Sequence, residues 1–359
     1  MQPVLLVLTT LKLRDFRCFA ALETEFAPGA NVIVGPNAQG KTSLLEAACV
    51  LLRLQSPRAA TLGPLVRLGS AGFVVDGFYS GNHLQFYYSP RRKKLALDSV
   101  EQRTAAEYLK IGRAVWFSNG DIALVRGAAD ERRRYLDFVA TQLDPGYRRH
   151  LRHYETALRS RNRLLKMPTV RWREVEAFDE PLITAGIALT QARNGLVAAL
   201  EPYAVEAQLA IGGAVEEVLA MRYQSGCGEG EDAGFAANLA ASREEDQRLR
   251  QTTVGPHRDE LALELNGLGS ELASEGQQRT LALALRLAQA RLIASRCEVL
   301  PLLLLDDIFG ELDPARRNAL LAHLPIGAQQ IITTTHLDWA QTEIGRVFRL
   351  ENRVLTVSS

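Results

Sequence analysis

The stretch GPNAQGKT, Gly35 to Thr42, places two glycines with four residues between them directly before Lys and Thr. That is the pattern of a loop that cradles phosphates. In such a loop glycines let backbone N–H groups turn inward on the anion, a lysine carries charge to the β and γ groups, and a hydroxyl reaches Mg2+. The candidate ATP-binding residues are therefore Gly35, Pro36, Asn37, Ala38, Gln39, Gly40, Lys41 and Thr42, with Thr42 also a candidate metal ligand.

Two further groups could act with the loop. PLLLLDD, residues 301 to 307, sets two carboxylates after four leucines. Such a run is expected to form a strand buried on both faces and to deliver Asp306 and Asp307 to the C-terminal edge of a sheet, where ligands bind in α/β folds. There Asp306 can hold Mg2+, directly or through water, and Asp307 can orient an attacking water. ASEGQQRT, residues 273 to 280, has two readings. Ser274 followed three residues later by Gln277 is a capping box, while a serine hydroxyl and free N–H groups at a helix start make a second phosphate-binding surface.

Each group needs an element to position it. Residues 11 to 36 alternate apolar and polar side chains and end in NVIVG, so a buried strand is expected to run straight into the glycine loop. Thr42 to Leu54 has the apolar spacing of a helix, which sets Lys41 at a helix N-terminus. Residues 72 to 97 read as further strands, and a helix from Glu275 to Arg296 precedes the leucine strand. From Arg132 to Leu219 the pattern turns to long amphipathic helices, expected to break at Pro145, Pro168, Pro181 and Pro202. GCGEGEDAG, residues 226 to 234, reads as an acidic Gly-rich loop, ELALELNG as a strand, and QQIITTTH as part of a last αβ unit. The ends are thus α/β and the middle helical. Two lobes are expected: the first from residues 1–116 and 280–359, the second from 117–279.

Composition excludes several classes. The four cysteines are scattered without a C-x-x-C pair, so neither a zinc site nor a disulfide framework is suggested. The apolar run Val299 to Leu305 is far shorter than the roughly 20 residues a bilayer span needs, and MQPVLLVLTT lacks the basic start of a signal peptide. No membrane partner and a cytoplasmic location are expected. The formal net charge is only +1, yet between Arg126 and Arg173 there are 13 Arg or Lys against 5 Asp or Glu.

GPNAQGKT, ASEGQ, LLLLDD followed by GELD, and TTTH occur in the order of the Walker A, signature, Walker B, D-loop and switch-histidine motifs of ABC-type ATPases. Together with LKLRDFRCF, FSNGDIALVRGAADERRRYLD, GPHRDEL and SEGQQRTLALALRLAQA, they make the chain resemble, over nearly its whole length, the RecF family of recombination-repair ATPases related to SMC and Rad50 heads. The resemblance implies an ABC-type P-loop ATPase head with an inserted, mainly helical second lobe and no long coiled coil. It implies ATP and Mg2+ as cofactors, a homodimer formed around two nucleotides, a grip on double-stranded or gapped DNA, and help in loading RecA recombinase with RecR and RecO. By motif, Ser274, Glu275, Gly276 and Gln277 would meet the nucleotide of the partner protomer, Asp313 would sit at the interface, and His336 would sense the γ-phosphate beside Asp307. Ala38 stands where the loop usually has Gly and is compatible with it if its φ is negative. Asn119 and Gly120 stand where the family tends to show Pro-Glu, no Q-loop glutamine is evident, and Asp307 replaces the glutamate of transporters, which suggests slow hydrolysis. The competing assignment is the nucleotide-binding subunit of an ABC transporter or another SMC-like head.

The basic tract gives the candidate DNA contacts Arg132, Arg148, Arg149 and Arg152, with Arg91, Arg92, Lys93 and Lys94 ambiguous. Tyr147, Tyr154 and Trp172 interleave the basic residues, which fits either a nucleic-acid face or core packing. Phosphate contacts of this kind would bind with little sequence preference and strong salt dependence. GPHRDEL has no role that its residues alone explain.

Overall fold

A charge-free run of leucines has no side to turn toward water, and in the computed structural model Leu302–Asp306 is an inner strand whose four leucines are fully buried. The structure describes residues 3–213, 217–228, 232–337, 339 and 345–358. The six-stranded sheet has the order Val354–Val357, Arg346–Glu351, Ala30–Val34, Gln330–Thr334, Leu302–Asp306, Ala114–Ser118. Neighbours run parallel except the first pair. Register sets Thr334 opposite Val34, and Asp306 opposite both Thr333 and Ser118. The residues that follow these strands, Gly35, Asp307, Asn119 and Thr335, therefore emerge along one sheet edge.

A second, antiparallel sheet orders Phe19–Glu25, Leu8–Phe16, Phe73–Tyr79, Asn82–Tyr88, Lys93–Leu97 and Val100–Glu101. The helix Lys41–Arg53 packs against strands of both sheets. Nearly all its residues are buried, including Arg53, whose Nη1 donates to the carbonyls of Leu109 and Gly112 at 3.0 and 2.8 Å. A helix clamped this way cannot drift, and its N-terminus is the floor of the glycine loop.

The chain divides into two compact units, residues 1–121, 206–215 and 279–359 in the first, and 122–205 and 216–278 in the second. The second unit is mainly helical, with Ala129–Leu143, Tyr147–Leu165 and most of Asp179–Gly212, beside a sheet ordered Leu219–Gln224, Glu260–Leu265, Leu268–Gly269. One expected break is absent: Pro181 lies in the first turn of Asp179–Gly212, just past the break after Trp172–Glu176, but Pro202 lies inside that helix. Proline fixes a helical φ, but inside a helix it lacks the N–H of one backbone bond and its ring crowds the carbonyl four residues before; packing overrides both at Pro202, where the flanking Leu200 and Ala204 are fully buried. Of the acidic Gly-rich loop, residues 229–231 lie outside the described residues, and its last residues open the helix Asp232–Ala241.

The core of the second unit is held by buried arginines. Tyr147, Tyr154, Ala157, Arg161 and Leu165 share one buried stripe of their helix, so these aromatics belong to the core. Arg161, fully buried, donates to Asp179, Asp246 and Thr252 at 2.9, 2.7 and 2.9 Å. GPHRDEL acquires its role here. Buried Asp259 accepts from Arg193 at 2.7 Å, from the Gly226 N–H at 2.8 Å and from the Tyr223 hydroxyl, while Arg193 also donates to the Pro256 carbonyl at 2.7 Å. Gly255 has φ 134 and a Cβ there would meet the Tyr154 hydroxyl at 2.5 Å, so no other residue fits.

Removing one partner of a buried pair leaves the other charge uncompensated. Arg161→Met should therefore lower stability by about 3–5 kcal/mol, measured by urea unfolding followed by circular dichroism; a loss below ~1 kcal/mol, the range of an exposed pair, would show that Asp246 finds another partner.

Candidate nucleotide-binding site

The strand Ala30–Val34 is buried at Asn31, Val32 and Ile33 and leads into residues 35–40. Gly40 takes φ 106, and a Cβ there would lie 2.6 Å from Cys18 Sγ, so the loop needs its glycine on both steric and backbone grounds. Ala38 has φ 64. The condition its side chain sets, a negative φ, is not met: the loop imposes a left-handed turn at that position and Ala38 carries a strain of roughly 1–2 kcal/mol. Gly35 is open to no side chain either, since a Cβ there would stand 2.2 Å from the Leu350 carbonyl oxygen.

Lys41 opens the helix, one residue earlier than the spacing suggested. Its Nζ donates to the carbonyls of Gly35 and Pro36 at 2.6 and 2.9 Å. Burial holds this ammonium below the usual lysine range, and the charges of Asp307 and Asp306 act against that shift. The lysine is thus held over the loop, with neutral acceptors that a phosphate oxygen can replace.

Thr42 Oγ1 donates to Asp306 Oδ1 at 2.8 Å, and Thr333 Oγ1 donates to the same oxygen at 2.9 Å. Burial pushes the Asp306 carboxyl up, opposed by those two hydroxyls. Hard oxygen donors in this position fit Mg2+, which uses one or two protein oxygens and completes its shell with phosphate and water. Among the described residues no group of three or more His, Cys, Asp or Glu could hold a metal by itself.

Asp307 has φ 50. Its N–H donates to the Thr333 carbonyl and to Thr333 Oγ1, each at 3.1 Å, and its own carbonyl accepts from Asn119 Nδ2 at 3.1 Å. Asn119 begins a short turn fixed by Asp121, which accepts from the Ser118 N–H at 2.7 Å and from Arg286 at 2.6 Å. Burial raises the Asp307 carboxyl, with Lys41 and His336 acting the other way. His336 is exposed, two residues past its strand, and its Nδ1 lies 2.8 Å from Thr335 Oγ1.

The structure therefore brings Lys41, Thr42, Asp306, Asp307 and His336 to one edge of the first unit. Thr333 and Asn119 lie within TTTH and FSNGDIALVRGAADERRRYLD, but sequence reasoning gave neither a part in the site, and it did not mark exposed Arg58, whose charge reaches Asp306; only strand pairing and loop closure place them. Ser274 is exposed in the second unit, where its N–H donates to Gln277 Oε1 at 2.8 Å and its Oγ accepts from the Gln277 N–H at 3.3 Å. The capping box is formed and still presents the hydroxyl outward. Glu275 is likewise exposed at the helix start, with Gly276 half-buried beside it. Asp313 caps Pro314–His323 by accepting from the Arg316 N–H at 2.9 Å.

The candidate DNA contacts separate. Arg132 is turned inward, donating to both oxygens of Glu260 and to the carbonyls of Leu124 and Gly127; its place among phosphate contacts is withdrawn because its donors are already engaged. Arg148 is half-buried, and burial lowers its pKa from the usual arginine value. Arg149, Arg152 and Arg163 are exposed on the face of their helix opposite the buried stripe and have no ion-pair partner among the described residues.

Residues 10–74 match the family model of an AAA domain. The chain is 39% identical over 345 residues, 91% of this chain and 92% of the relative, to the DNA replication and repair protein RecF of Anaeromyxobacter dehalogenans. Among solved structures it is similar to the recombination mediator protein RecF bound to ATP in the RecFOR pathway, with TM-score 0.90, 28% identity and 99% of both chains covered. The Smc head domain from Pyrococcus furiosus shares the fold alone, at TM-score 0.54 and 17% identity over 99% of this chain and 96% of that one. The architecture is an ABC-type P-loop ATPase head with an inserted, mainly helical second lobe, and by its identity to RecF over nine-tenths of its length the chain belongs to the RecF family of DNA replication and repair proteins.

Proposed function

We propose that this chain binds ATP with Mg2+, pairs with a second copy around two nucleotides, and in that state grips double-stranded or gapped DNA, where with RecR and RecO it helps RecA load; hydrolysis then acts as a slow timer. The observation that carries this reading is the 2.8 Å contact between Thr42 and Asp306 beneath Lys41, a ready seat for a metal-bound triphosphate. Support comes from the related RecF structure with ATP and from RecF-named relatives.

Lys41 would leave its two carbonyls for the β and γ phosphates, and Thr42 and Asp306 would hold the Mg2+, whose charge stabilises the phosphates as they react. Asp307, fixed by Thr333 and Asn119, would accept a hydrogen bond from the attacking water, and His336 would face the γ-phosphate. Ser274 and Gly276 would complete the partner's site, with Glu275, Gln277 and Asp313 beside it. The exposed arginines Arg149 and Arg152 would meet DNA phosphates.

Light scattering on the chain with and without MgATP, followed by gapped duplex, tests the whole reading: a monomer should become a dimer that retains DNA, and a chain that binds MgATP yet stays monomeric would overturn the clamp. Asp307→Asn should keep the ATP-bound dimer and slow phosphate release by at least tenfold, since binding survives while water loses its acceptor; unchanged turnover would place the base elsewhere. Lys41→Met and Ser274→Arg should each be inactive as pure proteins. Mixed, they form dimers with one intact site, so part of the ATPase activity should return. A purely capping role for Ser274, worth about 1 kcal/mol within its own chain, predicts no such rescue.

A further inference from the structure

Three consecutive arginines on the helix Ala129–Leu143 meet three different fates. Arg132 ion-pairs with Glu260, and Arg134 with Asp130 and Glu131. Arg133 has no carboxylate within ion-pair distance among the described residues; its Nη1 donates to the backbone carbonyl of Asp259 at 2.8 Å. That contact sets its guanidinium beside the turn Pro256–Arg258. On the turn itself Arg258 is exposed, and among the described residues its side chain has neither a hydrogen bond nor an ion pair.

The turn is fixed from several directions at once. Arg193 holds the Pro256 carbonyl and the Asp259 carboxylate, Tyr223 and Gly226 hold Asp259, and the Gly255 N–H donates to the Gly226 carbonyl at 2.8 Å. His257 lies between, with Nε2 2.9 Å from the Thr252 carbonyl and Nδ1 2.6 Å from the Tyr154 hydroxyl. Burial pushes this imidazole down to about 4, and the charges of Arg258 and Arg133 add to the shift, so it is neutral at pH 7 and adds no charge beside the two arginines. Arg133 is itself held below the usual arginine range, by burial first and then by Arg193, with the charges of Asp130, Glu260 and Asp259 acting the other way. A desolvated cation crowded by a like charge gains more from an arriving anion than a solvated one does.

We infer that Arg133 and Arg258 form a phosphate-binding site on the second unit, built on the GPHRD turn, that takes a backbone phosphate of DNA. Two guanidiniums offer forked donors to phosphate oxygens. Among the described residues no glycine loop and no metal-holding group of carboxylates accompanies them, which fits one phosphodiester rather than a triphosphate. The site rests on the DNA-binding reading above and extends it to residues outside the helix Tyr147–Leu165.

The test is fluorescence anisotropy of the full chain with MgATP and labelled duplexes of unrelated sequence, across a series of salt concentrations. Arg258→Gln, an exposed change that should leave the melting temperature unaltered, is expected to reduce the slope of log affinity against log salt by about 0.9, the value of one lost phosphate contact, equally for every sequence. Arg133→Gln should do the same, Arg258→Lys should keep the slope, and Arg134→Gln, whose charge is already paired, should change nothing. A slope unchanged in Arg258→Gln overturns the site while leaving the DNA reading standing. Weakened binding of a fluorescent ATP analogue by Arg258→Gln, with the DNA slope intact, assigns the phosphate to a nucleotide and overturns it too. Wild-type protein that binds no duplex at any salt overturns the DNA reading itself, and that result needs no variant.

Discussion

Everything at the nucleotide edge depends on one constraint, the parallel pairing of Ala30–Val34, Gln330–Thr334 and Leu302–Asp306. Parallel strands need long crossovers, so Ala30–Val34, near the start of the chain, and the two strands near its end must finish at the same edge once they pair. The hydrogen bond from Thr42 to Asp306 spans 264 positions of sequence and exists only because of that register. The buried helix Lys41–Arg53 fixes the other coordinate, holding Lys41 and Thr42 still while the strands fix Asp306.

The same edge shows strain placed where chemistry would need it. Ala38 and Asp307 both sit in the left-handed region, a conformation that persists only when surroundings over-determine it. Around Asp307 those surroundings are explicit: Thr333 on one side, Asn119 on the other, and the Asp121–Arg286 pair behind Asn119. Asn119 holds Asp307 through its backbone carbonyl rather than its carboxylate.

The second unit divides its arginines between two tasks. Arg132, Arg161 and Arg193 are spent inside, tied to Glu260, to Asp179 and Asp246, and to Asp137 and Asp259. Arg149, Arg152 and Arg258 remain outside. A count of charges along the chain adds both kinds together and so overstates the basic face. Burial separates them, because a guanidinium is stable in the interior only with carboxylates and carbonyls around it.

The sequence by itself determined the elements that carry local signals: the glycine loop with a strand before and a helix after, the leucine strand ending in two aspartates, and the capping box at Ser274. These follow from side-chain period and backbone sterics, which act over a few residues. It also marked the α/β ends and the helical middle. Only the tertiary structure decided that Ala38 takes a positive φ, that Pro202 lies within a continuous helix, that Arg132 faces inward, and that GPHRDEL anchors a buried ion network. Each of those outcomes is set by partners far away in sequence, whose packing and electrostatic energies exceed the local preference they override.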